Sequence, residues 1–189
     1  MTKKEVRKAA NQSILNGKTK QETFEELKTT SHRSEKDLAK IIQTIPSLRA
    51  RKKYKVLNII LIVLLSLTIL FKMMAGLPII IENGIKWFPI VFLLPIINIW
   101  LLFGVITYRP HYHRMVAVFA ILGLFQLFGN MVGEPFEPLI IIDFSIAAGL
   151  IGLGFYLNSK LFTNYLTVKE RYQNNQGQTK LRDVIKFED

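Results

Sequence analysis

The chain has 189 residues, of which half are hydrophobic, and its 25 Lys and Arg against 14 Asp and Glu give a formal net charge of +11. A mean hydropathy of +0.26 is unusual for a soluble domain of this size. The absence of cysteine excludes disulfides, thiolate catalysis and cysteine metal ligands. Residues 56–158 are almost all apolar, whereas 1–55 and 159–189 are rich in polar and charged residues, so we predict a membrane domain flanked by two polar segments.

The N-terminal segment is predicted to form about three short helices. Apolar residues recur at helical spacing from Val6 to Ile14, Gly17 interrupts this pattern, and Thr19 with the glutamate three residues later has the form of a capping box. Ser34 is predicted to begin a third helix, whose apolar stripe ends at Pro46. The segment has a weak likeness to a helix-turn-helix, but its connecting turn is predicted to be too long, so nucleic-acid binding is disfavoured.

A basic run directly precedes the first apolar stretch. Such residues interact with an anionic inner leaflet or simply fix the orientation of the next helix, and the second interpretation is favoured. The candidates for contact with lipid headgroups are Arg49, Arg51, Lys52, Lys53 and Lys55.

The predicted fold class is all-α, an integral membrane bundle of four transmembrane helices. A bilayer core of roughly 30 Å needs about 20 mostly apolar residues in a helix. Four windows satisfy this requirement, at about 56–76, 88–107, 115–133 and 139–158. Pro89 and Pro95 predict a kink in the second helix. In the alternative, residues 77–107 form a re-entrant hairpin.

The distribution of Lys and Arg predicts the orientation. The two terminal segments and the loop at 108–114 together carry 23 of these residues, and only Lys72 and Lys86 lie elsewhere. Basic segments stay in the cytoplasm. Both termini are therefore expected in the cytoplasm, with the chain in the cell (inner) membrane and segment 159–189 as a flexible cytoplasmic tail.

Asp143 is the residue most open to a functional interpretation. An ionisable group inside a membrane is costly and usually faces the bundle interior. Lys72 is predicted at a similar depth, so an intramembrane ion pair between Lys72 and Asp143 is the structural interpretation. The functional alternative is a polar route for an ion or proton, formed by Asp143 with Gln126, Asn130, Glu134 and Glu137.

Two further patterns have plain explanations. His111 and His113 lie beside two arginines, which disfavours a metal site and leaves an interfacial loop with some capacity to sense pH. Small residues recur at four-residue spacing in the third and fourth windows, and they are predicted to pack those helices together, with homo-oligomerisation as the alternative. These residues are Gly129, Gly133, Ser145, Ala148, Gly149 and Gly152.

No catalytic, cofactor or metal motif is present in the sequence, so we expect a protein that is not an enzyme and has no cofactor. The leading hypothesis is an accessory or scaffold subunit of a membrane complex that presents its terminal segments to a protein partner. A small transporter or channel with a polar route near Asp143 is the second hypothesis. A membrane-tethered DNA-binding regulator is the third.

Overall fold

The computed structural model describes residues 1–93, 95–131, 138–173 and 179–187. Over these residues the chain forms two compact units. The terminal unit combines Met1–Lys53 with Lys160–Asp189, and the apolar unit is Tyr54–Ser159. The helices are α1 (Lys3–Leu15), α2 (Lys20–Thr30), α3 (Glu35–Ile42), α4 (Leu48–Lys53), α5 (Lys55–Asn83), α6 (Phe88–Leu93), α7 (Ile96–Ile106), α8 (Tyr112–Met131) and α9 (Pro138–Leu161).

The predicted helix starts in the terminal unit are confirmed. The Thr19 hydroxyl accepts from the Glu22 backbone N–H at 3.1 Å, and the Glu22 carboxylate accepts from the Thr19 N–H at 2.8 Å, which completes the capping box. The Ser34 hydroxyl caps α3 by accepting from the Asp37 backbone N–H at 3.2 Å. Gly17 has a φ of 95°, a left-handed conformation that favours glycine, and it follows the end of α1. Thr2 forms a further capping box, which the sequence analysis did not identify.

One hydrophobic core joins α1, α2 and α3 to the C-terminal end of the chain. The helices bury their apolar faces against each other, as their periodicity predicts. The buried members of this core are Val6, Ala10, Ile14, Phe24, Leu27, Leu38, Ala39, Ile41, Ile42, Ile45 and Ile185. Ile185 lies 140 residues or more from every other member of this core in the sequence, and it joins them because the chain returns to the same unit after α9.

The expectation of a flexible tail is corrected by a β-hairpin. Strands β1 (Tyr165–Gln173) and β2 (Thr179–Phe187) pair antiparallel, with Tyr165 opposite Phe187. Side chains of alternate residues lie on opposite faces of a strand. At its base, therefore, the hairpin directs Tyr165, Ile185 and Phe187 to the same face, and that face packs on the helical core.

In the apolar unit, α5 is longer than the window predicted for it. It has 29 residues, about 43 Å at the usual helical rise, and it continues through Pro78. Pro78 was expected in a loop. Long apolar helices tolerate an internal proline because local adjustments re-satisfy the carbonyl that loses its partner. α6 and α7 meet at a 45° bend, at the site where the prolines predict a kink.

The described residues contain two helices that are long and apolar enough to cross a membrane, Lys55–Asn83 and Ile140–Leu161. The bent pair Ile85–Leu93 and Ile96–Ile106 becomes a third if it counts as one span. The apolar part of α8, Tyr112–Phe128, is shorter. The chain is thus predominantly helical, as predicted, and two to three of the four predicted spans are supported by length and composition.

Two of the glycines in α9 lie at helix contacts. A Cβ at Gly149 would lie 2.9 Å from Leu64 of α5, and one at Gly154 would lie 2.7 Å from the backbone oxygen of His113 in α8. No described atom lies within 4 Å of the corresponding position at Gly152. Close approach of α9 to α8 therefore depends on Gly154, which the small-residue pattern did not include, and Gly149 contacts α5 instead.

Candidate functional site

A cavity of about 250 Å³ lies within the apolar unit, between α5, α7, α8 and α9. Most of its wall is aliphatic or aromatic, because each helix places apolar side chains on the face that meets the others. Examples from the four helices are Leu65, Phe71, Leu101, Phe119, Leu124 and Ile146. A concave apolar wall with a few polar groups is the usual form of a small-molecule site.

Four polar side chains interrupt this wall, namely those of Thr68, Lys72, Asn98 and Asp143. The Lys72 ammonium donates to Asn98 Oδ1 at 3.4 Å, which ties α5 to α7. Asn98 is 7% exposed, so its amide needs such a partner. The Thr68 hydroxyl donates to the Leu64 carbonyl at 3.0 Å and retains its capacity to accept.

The structure brings Lys72 and Asp143 to the same cavity, as the proposed ion pair requires. Among the described side chains, however, no ion pair joins the two within 4.0 Å. A direct contact between them therefore stays a prediction. Their opposite charges line a shared space.

The other residues of the predicted polar route are not assembled at this cavity. Gln126 is exposed and does not contribute to the wall of the cavity. Asn130 is part of α8, but its side chain lies outside the described residues, as do Glu134 and Glu137. A route through these residues therefore stays a prediction, and Asp143 is its one member that the structure places in the cavity.

A second buried polar contact links the first turns of α5 and α8. His113 Nε2 and Asn58 Oδ1 are 2.8 Å apart, and the two residues are 0% and 2% exposed. Since Oδ1 only accepts, His113 carries a proton on Nε2 in this contact. The neighbouring His111 is exposed, with a φ of 74°. The two imidazoles thus have different environments. The described residues contain no group of three or more side chains that could hold a metal ion.

The basic run before the first long helix divides between two roles. The Arg51 guanidinium donates to Asn11 Oδ1 in α1 at 2.9 Å, so this side chain is committed to the terminal unit. Arg49, Lys52, Lys53 and Lys55 are exposed. These four remain candidates for contact with an anionic surface, whereas Arg51 has a structural role.

Two residues of α2 form hydrogen bonds with the C-terminal segment. Neither is among the residues predicted from the sequence. Gln21 Oε1 accepts from the Phe187 N–H at 3.1 Å, and its Nε2 donates to the Ile185 carbonyl at 3.4 Å. Its amide thereby mimics a neighbouring strand at the edge of β2. Lys20 is 1% exposed, and its ammonium donates to Thr163 Oγ1 at 3.0 Å. No local sequence pattern marks either residue, since both partners lie more than 140 residues away.

The face of the hairpin that is turned away from the core exposes apolar side chains. We call this surface, formed by Leu166, Val168 and Tyr172, the outer hairpin face. These residues are 49%, 37% and 41% exposed. Glu170 on the same face pairs with Lys186 at 2.7 Å, and Arg182 stacks over the Tyr172 ring at 5.8 Å.

The turn between α2 and α3 corrects one reason given against DNA binding. It comprises residues 31–34, which is within the usual length for a helix-turn-helix rather than too long. The exposed positions of α3 nevertheless combine Lys36 and Lys40 with Asp37, and Glu35 is half-exposed beside them. A surface so balanced in charge gives little attraction to phosphates.

Comparison with models of protein families, with curated proteins and with solved structures found no match to this chain.

Proposed function

We propose that this chain is an integral membrane protein that serves as a non-enzymatic accessory or scaffold subunit. In this proposal the apolar unit is the anchor, and the terminal unit is presented to a protein partner at the cytoplasmic surface of the cell membrane. The observation that most supports it is the terminal unit itself. Both ends of the chain build one small domain with its own core, joined to helices long and apolar enough to cross a bilayer.

The shared core also supports an even number of membrane crossings. The N-terminal helices and the C-terminal hairpin pack in one unit, so they belong on the same side of a membrane. Two or four crossings satisfy this condition, and three do not. The re-entrant alternative, in which only the second predicted span fails to cross, is therefore disfavoured. If α6 and α7 do not cross, α8 does not cross either.

The proposed orientation depends on charge. Nearly all Lys and Arg residues belong to the terminal unit, to its junction with α5 or to the loop between α7 and α8. The positive-inside rule favours these parts in the cytoplasm, where the exposed Lys52 and Lys55 meet anionic lipid headgroups. With four crossings the loop holding Arg109 also lies in the cytoplasm, which agrees with its charge.

The outer hairpin face is the proposed surface for the partner. Exposed Leu166 and Tyr172 offer apolar area, and the two strands carry five basic residues against two acidic ones. An isolated two-stranded hairpin is marginally stable in water, so added contacts on its free face or edge favour its ordered form. We expect a protein segment that combines apolar and acidic side chains.

Cysteine labelling tests the topology, since the natural chain has no cysteine. Thr29→Cys, Gln173→Cys, Lys86→Cys and Arg109→Cys place one thiol each at exposed positions. In intact cells a membrane-impermeant maleimide should label only Lys86→Cys, and permeabilisation should expose the other three. Labelling of Thr29→Cys and Gln173→Cys from opposite sides contradicts the proposal. Labelling of Arg109→Cys from outside indicates two crossings instead of four.

Affinity purification of the full chain from crosslinked, gently solubilised membranes tests the scaffold role. A partner should co-elute at fixed stoichiometry with the natural chain and be lost with the double variant Leu166→Ser, Tyr172→Ser. Leu181→Ser is the matched control, because Leu181 is 61% exposed on the opposite face of the same hairpin. Recovery of the chain alone, or equal recovery of a partner with all three chains, contradicts the proposal.

A further inference from the structure

The cavity of the apolar unit has two chemical properties that together select a ligand. Its wall is mostly apolar, and it contains one cationic and one anionic side chain on different helices, Lys72 on α5 and Asp143 on α9. From this combination we propose that the cavity binds a small zwitterion with an apolar body, of the chemical class of the aliphatic amino acids.

The two charged side chains each carry a free-energy cost in an apolar helix bundle. A charged side chain within the hydrocarbon region of a bilayer is unfavourable, so such residues pair or line a polar space. Lys72 lies 17 residues after the first residue of α5, about 26 Å along the helix, and Asp143 lies near the start of α9. A ligand that carries both charges satisfies both side chains at once.

Other ligand classes fit the cavity less well. A simple anion gains from Lys72 and is repelled by Asp143, and a simple cation has the opposite balance. A neutral apolar molecule gains neither interaction. Among these ligand classes, only a zwitterion is attracted by both charged side chains in the wall.

The polar groups also assign an orientation to the ligand. Its carboxylate is placed by the Lys72 ammonium, with the Asn98 amide as a second donor, because Asn98 Oδ1 already accepts from Lys72. Its ammonium is placed by the Asp143 carboxylate. Its side chain then lies against the aromatic and aliphatic wall that includes Phe71 and Phe119.

The volume limits the size of the ligand. About 250 Å³ is below the roughly 300 Å³ at which pockets for drug-sized molecules begin. A molecule the size of leucine fits this space, whereas a phospholipid or a peptide does not.

Thermal unfolding of the full chain in a maltoside detergent and phosphate buffer tests the proposal, since neither carries zwitterions. L-leucine is the main probe, and 6-aminohexanoate tests a wider separation of the two charges. At about 10 mM, one of them should raise the unfolding midpoint by a few degrees. N-acetyl-leucine lacks the ammonium and leucinamide lacks the carboxylate, so each should bind at least roughly tenfold more weakly than leucine.

Two variants separate the two charges. Asp143→Asn should abolish the preference for leucine over N-acetyl-leucine, and Lys72→Met should abolish the preference for leucine over leucinamide. Glu82→Gln and Lys86→Met are matched controls. Each removes one charge of the same sign as a cavity variant, but from an exposed residue outside the cavity wall. Both controls should retain the natural selectivity.

Three results would overturn the inference. One is the absence of any shift of the natural chain with leucine and with 6-aminohexanoate. Another is equal binding of leucine and N-acetyl-leucine to the natural chain, which indicates an anion site. The third is a shift that is unchanged in both cavity variants, which places the binding elsewhere. The shifts of the natural chain with leucine and its analogues test the inference even if a cavity variant does not fold.

Discussion

The two units bury their apolar residues in different ways. In the terminal unit, eleven hydrophobic residues from α1, α2, α3, the segment after α3 and β2 form one buried core. In the apolar unit, only 17% of the most apolar window of α5 is buried within the protein, and the same share applies to α9. The terminal unit therefore hides its hydrophobic residues from water, whereas the apolar unit leaves most of its own on the outside.

This difference shows which forces stabilise each unit. Removal of apolar area from water supplies the driving force in the terminal unit. In the proposed membrane location of the apolar unit, this force is absent between helices, and close packing with buried hydrogen bonds takes its place. Substitutions of buried apolar residues should thus be most damaging in the terminal unit, and substitutions of buried polar residues should be most informative in the apolar unit.

The largest effect is expected from Phe24→Ala. Phe24 is 1% exposed, and its ring lies 5.8 Å from that of Phe187, so it joins the helical core to the hairpin. Truncation of a buried phenylalanine costs about 3–5 kcal/mol. Trypsin should cleave the hairpin of this variant, at sites such as Arg171 and Arg182, much faster than in the natural chain.

Leu15→Ala is the control for this prediction, because Leu15 lies in the same unit and is 47% exposed. Its cleavage rate should match that of the natural chain. Equal protection of the hairpin in all three proteins would falsify the view that one core holds both ends of the chain together.

The next effect concerns the polar contact between α5 and α8. Asn58→Ala removes the partner of a buried imidazole at 2.8 Å, and such a loss costs about 1–2 kcal/mol. His113→Ala should cost a similar amount. Thermal unfolding of the full chain in detergent measures both, and the double variant should be no less stable than the worse single variant.

His111→Asn serves as the comparison, since His111 is exposed and asparagine tolerates its φ of 74°. This variant should unfold at the natural temperature. If the two single effects at Asn58 and His113 simply add in the double variant, the hydrogen bond between them does not stabilise the apolar unit.

A smaller effect is expected at the start of α2. Thr19→Ala removes the side-chain acceptor of the capping box, which typically costs about 1 kcal/mol. Thr29→Ala is the matched control, because Thr29 is exposed near the other end of the same helix and its hydroxyl bonds only to a helix carbonyl. Urea titration of the full chain should show a lower midpoint for Thr19→Ala alone. Equal midpoints for the two variants would mean that the box is not formed in solution.

The helices of the terminal unit were predictable because their signals are local. The starts at Thr19 and Ser34 and the apolar stripe of α3 follow from residues within four positions of each other. The hairpin carried a local signal as well. The sequences of its strands contain β-branched and aromatic residues on both sides of a polar stretch with one glycine, a pattern that favours a hairpin over a tail.

The docking of that hairpin was not predictable in the same way. Gln21 and Phe187 are 166 residues apart, and neither position is unusual in its own segment. At the cavity, the sequence identified Lys72 and Asp143 through the cost of charge in an apolar helix, but it gave no sign of Asn98, which accepts from Lys72. An amide in an apolar helix is a weak signal, whereas two opposite charges are a strong one.

The smallest expected effect is a change in the titration of Glu170 on the outer hairpin face. The hydrogen bond and charge of Lys186, at 2.7 Å, lower the pKa of the Glu170 carboxyl below its ordinary value of 4.5. Because the folded pKa is the lower one, this pair stabilises the hairpin above the ordinary pKa, and its contribution is lost as the pH falls through the lowered value. In Lys186→Gln the pKa of Glu170 should rise towards 4.5, as measured by carboxyl carbon NMR of the full chain. Lys28→Gln, which breaks the exposed Lys28 and Glu35 pair, should leave the Glu170 titration unchanged. An identical Glu170 titration in the natural chain and Lys186→Gln would show that this pair is not maintained in water.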